Sequence, residues 1–499
     1  MESAFRILIL VYMAVILFFV VRGARKTKSI KDYAVGSIHF SPVAVGLALA
    51  ASMTSAATFI INPGFIALYG FSAFISYAIA LPAAAMISLV ILTKGFRKHG
   101  TGVKALTMAQ WMGTRYNSKG YGLFFAFLSL LLITFIVLIA VGLTKVLSKS
   151  LNIDEIYVLA GIIIFIFGYM MFGGANSMVY TNTVQAVLML IVAFILLGSG
   201  YEHFREGVFG FIDKLNAVDP KLTGLTNESS FLFRDFFEII VAQIVIGVAI
   251  VCQPHIITKS LLLKEDKEVN RYLVTGVIVE LIFFFVVFTG LYARLTFPDL
   301  TFNGTELKMD GIISAYVVAE FPVYIGLLVV LGLISAGIST LEGLIQSIST
   351  TISSDIVIPL IPKNINNSEE KEGRKAILIN RIAIVGIGIA AFFLSWDQIV
   401  NPKLSVAIFA QNGVYAYFSA AFVPILFGMF LKDATKKVVI TSSFVAIIVH
   451  FSMYYGKLPV PLTLATGENP GVASAIAIIL SVATGLIFYF STKSRVKYE

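Results

Sequence analysis

Runs of apolar residues close to the ~20 needed to cross about 30 Å of hydrocarbon recur along the chain. We count thirteen, with approximate cores at 5–21, 43–68, 72–93, 121–144, 155–172, 178–200, 235–253, 272–293, 323–357, 376–395, 404–431, 438–455 and 471–492. The pattern predicts an all-α polytopic membrane protein of about 13 transmembrane helices. The first run, Ile7–Val21, ends in Arg and Lys without a small-residue cleavage site, and reads as a retained span. The run at 323–357 is too long for one perpendicular crossing and must tilt or project beyond the bilayer.

Polar positions inside these runs carry the chemistry. Ala336, Ser339, Thr340, Glu342, Gln346, Ser347, Ser349, Thr350, Thr351, Ser353 and Ser354 follow one another in a segment that is otherwise Leu, Ile and Gly. Polar side chains at membrane depth face a cavity, a partner helix or an ion path. The second run is crowded by Ala50, Ala51, Ser52, Thr54, Ser55, Ala56, Ala57 and Thr58 and contains Pro63-Gly64. Such a segment can unwind at mid-membrane and present carbonyls to a ligand, or can serve close helix packing. Five runs later the seventh is interrupted by Gly247 and by Gln253-Pro254-His255. Two interrupted runs at matching positions predict two inverted five-helix repeats, runs two to six and seven to eleven, with a binding site at the breaks.

Composition narrows the class. The chain is 58% hydrophobic and 13% charged, about half the charge of an average soluble domain. A single cysteine, Cys252, excludes an internal disulfide. Of 37 Lys and Arg, 26 fall in alternate loops, so the positive-inside rule puts the N-terminus outside and the C-terminus inside. The net charge of +9 is thus a record of topology and does not point to nucleic acid. No Cys/His cluster, nucleotide-binding loop or Ser/His/Asp arrangement is discernible, and the chain reads as no enzyme. No obligate protein partner is evident; the expected contacts are membrane lipid and a small organic solute.

Five motifs in order resemble the sodium:solute symporter family. They are the small-residue run with Phe59, Pro63-Gly64 and Tyr69-Gly70; Gly173-Gly174 followed by Tyr180-Thr181-Asn182-Thr183-Val184-Gln185; Gln253-Pro254-His255-Ile256 with Lys259; Ala336-Gly-Ile-Ser339-Thr340 with Asp355; and Phe422-Val-Pro424 through Gly428 to Lys432-Asp-Ala-Thr435. The resemblance implies a LeuT-like 5+5 inverted repeat. An extra N-terminal helix and basic loop would occupy 1–32, the transport core 33–435, and two more helices 436–499. It implies Na+-coupled symport of an amino acid, pantothenate or short carboxylate by alternating access, in a cell membrane. A transporter-like sensor and a proton-coupled carrier of the same fold are the alternatives.

For the ion, the resemblance implies Na+ held by the Ala51, Thr54 and Ala336 carbonyls and the Ser339 and Thr340 hydroxyls. Neutral oxygens suit a hard monovalent cation, although hydroxyls on membrane helices also bond back to carbonyls on their own turn. The family's Asp in the Trp-Thr-Asp position is Asn182 here, and Glu342 stands two residues past Thr340. Glu342 is therefore expected to take over the charge role that Asn182 vacates, with Ser55 joining them in coupling. Thr58, Asn62, Tyr77 and Gln243 are the substrate candidates. Tyr415 and Tyr417 are candidates for an outer gate, or are interfacial aromatics.

Overall fold

The computed structural model describes residues 2–103, 105–361, 369–401, 405–431 and 433–496. Lys432 of the fifth motif, with Lys104, Lys363 and Lys497 of the basic loops, lies outside the described residues. Among those residues, 11 helices are long and apolar enough to cross a membrane, and counting two bent pairs as single spans gives 13.

In chain order the elements are α1 (Glu2–Ala24), then α2 (Pro42–Met53) bent by 58° from α3 (Ala57–Tyr69), then α4 (Phe71–Lys98), α5 (Lys119–Leu151), α6 (Glu155–Gly173) and α7 (Ala175–Ser199). A short outer helix α8 (Gly207–Val218) leads to α9 (Phe237–Ile250), bent by 57° from α10 (Pro254–Leu262). The long α11 (Asp266–Thr296) precedes a small hairpin, β1 (Thr301–Phe302) antiparallel to β2 (Thr305–Glu306), and α12 (Ile312–Glu320). The remaining helices are α13 (Val323–Leu360), α14 (Lys371–Val400), α15 (Val406–Phe430), α16 (Lys436–Gly456) and α17 (Pro470–Thr492). The sequence pattern did not anticipate α8, the hairpin or α12, which occupy connections between spans.

Reciprocal packing reveals the inverted repeat. α2 lies along α11, and its counterpart α9 lies along α4; α7 packs on α13, and the counterpart pair α15 and α5 also pack together. Each of these contacts runs between the halves and has its counterpart, and α6 and α14, which correspond, meet each other. α1 packs on α6 and α7, and α16 and α17 pack on each other and on α15. Ile382, Ile389 and Phe393 on α14 and Ile7, Leu10 and Phe18 on α1 stay exposed, as expected of faces turned to lipid.

Both breaks have local causes. Thr54 adopts extended angles (φ −97°, ψ 107°), and its N–H to the Ala50 carbonyl is the last bond of α2. Small residues, Ala50, Ala51, Ser52, Ser55, Ala56 and Ala57, flank this break. Gln253 is extended (φ −65°, ψ 135°), as the residue before a proline tends to be, and Pro254 opens α10. Gly247 has a different role from the one expected of it: it lies inside α9, where a Cβ would meet the Leu81 backbone and the Ala84 side chain of α4. It permits close packing and does not break the helix. Pro63 likewise sits beyond the bend, after a π-helical turn at Ala57–Ile61.

Gly70 ends α3 at φ 64°, ψ −138°, against the Leu222 backbone. That conformation is essentially confined to glycine, and forcing another residue into it costs about 1–3 kcal/mol. Gly70→Ala is expected to lower the thermal midpoint of the detergent-solubilised protein. Gly120→Ala, where a Cβ meets nothing within 4 Å, should leave it unchanged.

Candidate functional site

The bend between α2 and α3 lies against the middle of α13, which is buried from Leu331 through Gln346. Ser339 Oγ stands 2.7 Å from the Ala51 carbonyl and 3.0 Å from that of Ala336. Thr340 Oγ1 stands 3.2 Å from the Ala336 carbonyl and 3.5 Å from that of Thr54. Five oxygens thus converge from two elements, and all five residues are fully buried. The extended Thr54 ends the ladder of α2, so the Ala51 carbonyl turns to a hydroxyl of the facing helix. Both hydroxyls also reach back to Ala336 on their own turn, so back-bonding and the cross-helix contact coexist. Hard cations of this size sit about 2.4 Å from oxygen ligands, which puts neighbouring ligands roughly 3.4 Å apart. The observed spacings need only a slight expansion to fit a bare Na+.

Beside this cluster is a cavity of about 110 Å³ between the two breaks and α4, α5 and α15. Ser55, Thr58, Asn62, Tyr77, Gln253, Gln411 and Tyr415 supply its polar wall, and no lining residue is charged. Ser55 Oγ accepts from the Ala57 N–H at 3.1 Å, capping the start of α3 at the cavity edge. The amide oxygen of Gln253 is buried without a partner.

A second polar cluster lies on the other side of the ion-sized cage. Glu342 accepts from Tyr169 Oη at 2.5 Å, Thr181 Oγ1 at 2.6 Å and Gln185 Nε2 at 3.4 Å. The neighbouring groups fix the Asn182 amide: its nitrogen donates to Glu342 at 2.8 Å and to Gln185 Oε1 at 2.9 Å, while its oxygen accepts from Ser52 Oγ at 2.9 Å and Lys259 Nζ at 3.3 Å. Lys259 Nζ donates to the Ala48 carbonyl at 2.6 Å and also bonds Ser52 Oγ. Tyr12 of α1 joins through Gln185 and Ser335, each at 3.2 Å. Glu280 of α11 accepts from Thr54 Oγ1 at 2.8 Å, and its other oxygen has no hydrogen-bond partner.

The structure brings Ala51, Thr54, Ala336, Ser339 and Thr340 together and puts Ser55, Thr58, Asn62, Tyr77 and Tyr415 on one cavity. It groups Asn182 with Glu342. Two expected residues lie elsewhere. Gln243 is buried outside the cavity, near Gly471 of α17, because the α9 face bearing it turns away from the break. Tyr417, two positions from Tyr415 on the same helix, points to the opposite side and packs edge-on with Phe125. Gln346 does not pair with Glu342 but donates to the Tyr33 and Ala34 carbonyls at 2.8 and 2.9 Å. Sequence reasoning passed over Gln253 and Gln411 as cavity residues and treated Lys259 as a loop cation. The signal for Lys259 was its place five residues past Pro254 on an apolar half-helix.

Comparison with known proteins follows the same lines. A model of the "Sodium:solute symporter family" matches residues 33–445. The chain is 25% identical over 492 residues to the Escherichia coli "Sodium/pantothenate symporter", covering 95% of this chain and 94% of that protein. It is 22% identical to the Staphylococcus aureus "Sodium/proline symporter", covering 86% and 82%. A solved structure of a substrate-bound, outward-open Na+-coupled sialic acid symporter superimposes with a TM-score of 0.76 at 18% identity, over 97% of this chain and 98% of that one. This last likeness is one of fold.

Removing one member of a buried charged network strands the others, typically at 3–5 kcal/mol. Glu342→Ala leaves the Tyr169, Thr181 and Asn182 donors without their acceptor and is expected to depress the thermal midpoint sharply. Glu342→Gln, which keeps volume and one acceptor, should lose less. A Glu342→Ala protein as stable as the parent would contradict this network.

Proposed function

This chain belongs to the sodium:solute symporter family, and we propose from its geometry where the ion and the solute bind. It is a multi-pass cell-membrane protein that couples solute movement to sodium, and its family and relatives are transporters. The observation that carries the assignment is the cage of three carbonyls and two hydroxyls at the first helix break. In our reading Na+ enters that cage, the Ser339 and Thr340 hydroxyls rotate their hydrogens away, and five neutral oxygens replace water. Glu280, one hydrogen bond from Thr54, places a carboxyl group on this side of the cage.

The solute is read into the neighbouring cavity. Relatives named for pantothenate, proline, sialic acid and monocarboxylic acids point to solutes that carry a carboxylate, whereas those named for glucose do not, and the cavity decides between them. With no charged side chain lining the cavity, a carboxylate finds its favourable end at the start of α3, where helix-terminal N–H groups and the dipole attract anions. Asn62, Gln253, Gln411 and Tyr77 then discriminate the rest of the molecule, and Tyr415 closes over it. We assign the substrate class as a small carboxylate-bearing solute: an amino acid, pantothenate or a short carboxylate.

Glu342 is read as a fixed counter-charge, not as a proton carrier. Both its oxygens already accept hydrogen bonds, so an incoming proton would displace a donor. We also read the N-terminus as outside and the C-terminus as inside. The same reading divides the chain into an accessory helix at 1–32, a core at 33–435 and a two-helix annex at 436–499.

The test is a thermal-shift screen of the purified protein against pantothenate, proline and short carboxylates, in sodium and in potassium buffer. Stabilisation by one of them in sodium alone is expected. The Ser339→Ala/Thr340→Ala variant should weaken apparent sodium affinity at least about tenfold, which is about 1.4 kcal/mol. Equal solute stabilisation in both buffers, or unaltered sodium affinity in the double variant, would refute the assignment.

A further inference from the structure

Lys259 is a cation buried to 3% exposure at membrane depth, and its surroundings resemble those of a metal ion. Three oxygens of three kinds converge on Nζ: the Ala48 carbonyl, the Ser52 hydroxyl and the Asn182 amide oxygen. Two of the three come from α2, which also supplies the Ala51 carbonyl to the sodium cage. Ser52 Oγ is 3.4 Å from the Ser339 carbonyl, so the two sites share a wall. Behind this oxygen seat stands a negative charge. Asn182 passes its nitrogen to Glu342 while its oxygen faces Lys259, so this one amide bridges ammonium and carboxylate.

The seat therefore has what a buried monovalent cation requires, namely converging neutral oxygens and a nearby counter-charge. We propose that it is a second cation site whose occupant is the protein's own Lys259 ammonium, leaving the chain a single exchangeable sodium. The inference rests on the sodium-cage reading above and extends it to the number of ions bound. The lysine stem is rooted on α10, beyond the second break, so the tethered cation also ties the far half of one broken helix to the near half of the other. A narrow crevice lined by His255, Lys259, Gly343 and Thr350 lies on this side, and sodium leaving that way would pass the ammonium.

A lysine that merely latched two helices would leave ion counts alone, whereas a lysine that fills a cation seat must change them. Bound radiolabelled sodium per chain, measured by equilibrium dialysis on the purified full-length protein, separates the two. The wild type should bind a single ion. Lys259→Ala, and Lys259→Gln if the alanine variant does not fold, should bind twice as much. Adding Glu342→Gln should remove the extra ion, because the vacated seat then lacks its counter-charge. Adding Ser339→Ala/Thr340→Ala to the lysine variant should instead remove the cage ion and leave the new one.

Two ions on the wild type would overturn the proposal whether or not any variant folds. So would a folded lysine variant that still binds one. No sodium on the wild type, with one gained on losing Lys259, would instead sink the cage reading and leave the lysine seat standing.

Discussion

A peptide carbonyl released from its helix inside hydrocarbon has no water to turn to. It must be met by a donor or a cation, or the break does not survive. The bend at Thr54 exists on those terms. The Ala51 carbonyl accepts from the Ser339 hydroxyl at 2.7 Å, and the Thr54 carbonyl faces the Thr340 hydroxyl at 3.5 Å. Each hydroxyl also offers lone pairs once its hydrogen turns aside, so the groups that stabilise the empty bend are the ones a cation would use. Binding then exchanges one set of satisfied oxygens for another and does not open a costly vacancy. The placement of Ser339 and Thr340 on α13 against the break follows from this, while the hydroxyls further along, such as Thr351 and Ser353, bond back to carbonyls of their own helix.

On the proposed assignment, ion and solute share a stretch of main chain only a few residues long. Thr54 gives its carbonyl to the cage and its hydroxyl to Glu280. Ser55 caps the first turn of α3 and lines the cavity, and Thr58 lies on the same wall. An ion that fixes the angles at Thr54 thereby fixes the direction of α3 and the polar groups aimed into the cavity. Coupling of this kind is reciprocal in free energy: a solute that prefers the ordered break must raise sodium affinity by the same factor. The second break, held extended by the proline after Gln253, brings an amide with an unpartnered oxygen to the same cavity.

Much of this was legible from residues alone, and the reasons are specific. Span count and the paired breaks were readable because hydrocarbon imposes a length and a polarity on every crossing segment. The ligand set of the cage came from the family resemblance, because hydroxyls and small residues at mid-membrane serve helix packing and back-bonding equally well. Pairwise facing was not readable. Gln243 and Tyr417 sit on helices whose rotation is set by neighbours, and a helix buried nearly all round, such as α15, carries no periodic stripe that reveals which side faces a cavity. Gly247 misled because a glycine that permits close approach and one that breaks a helix look alike in one dimension. Lys259 was counted with the basic loop residues, as its partners lie 77 to 211 positions away along the chain.

Charge placement decides how such a carrier draws on the membrane potential. A charge moving across 100 mV carries about 2.3 kcal/mol. If Lys259 fills the second seat as proposed, its charge stays balanced by Glu342 in the protein, and only the sodium and the solute contribute net translocated charge. A monoanionic carboxylate accompanied by a single sodium then moves no net charge, and its accumulation is driven by the sodium concentration gradient alone. A zwitterionic amino acid moves one positive charge and gains the voltage term in full, roughly 50-fold at that potential. The same cage and cavity would thus give solutes of the same size different dependence on voltage, set only by whether the carboxylate brings its own ammonium.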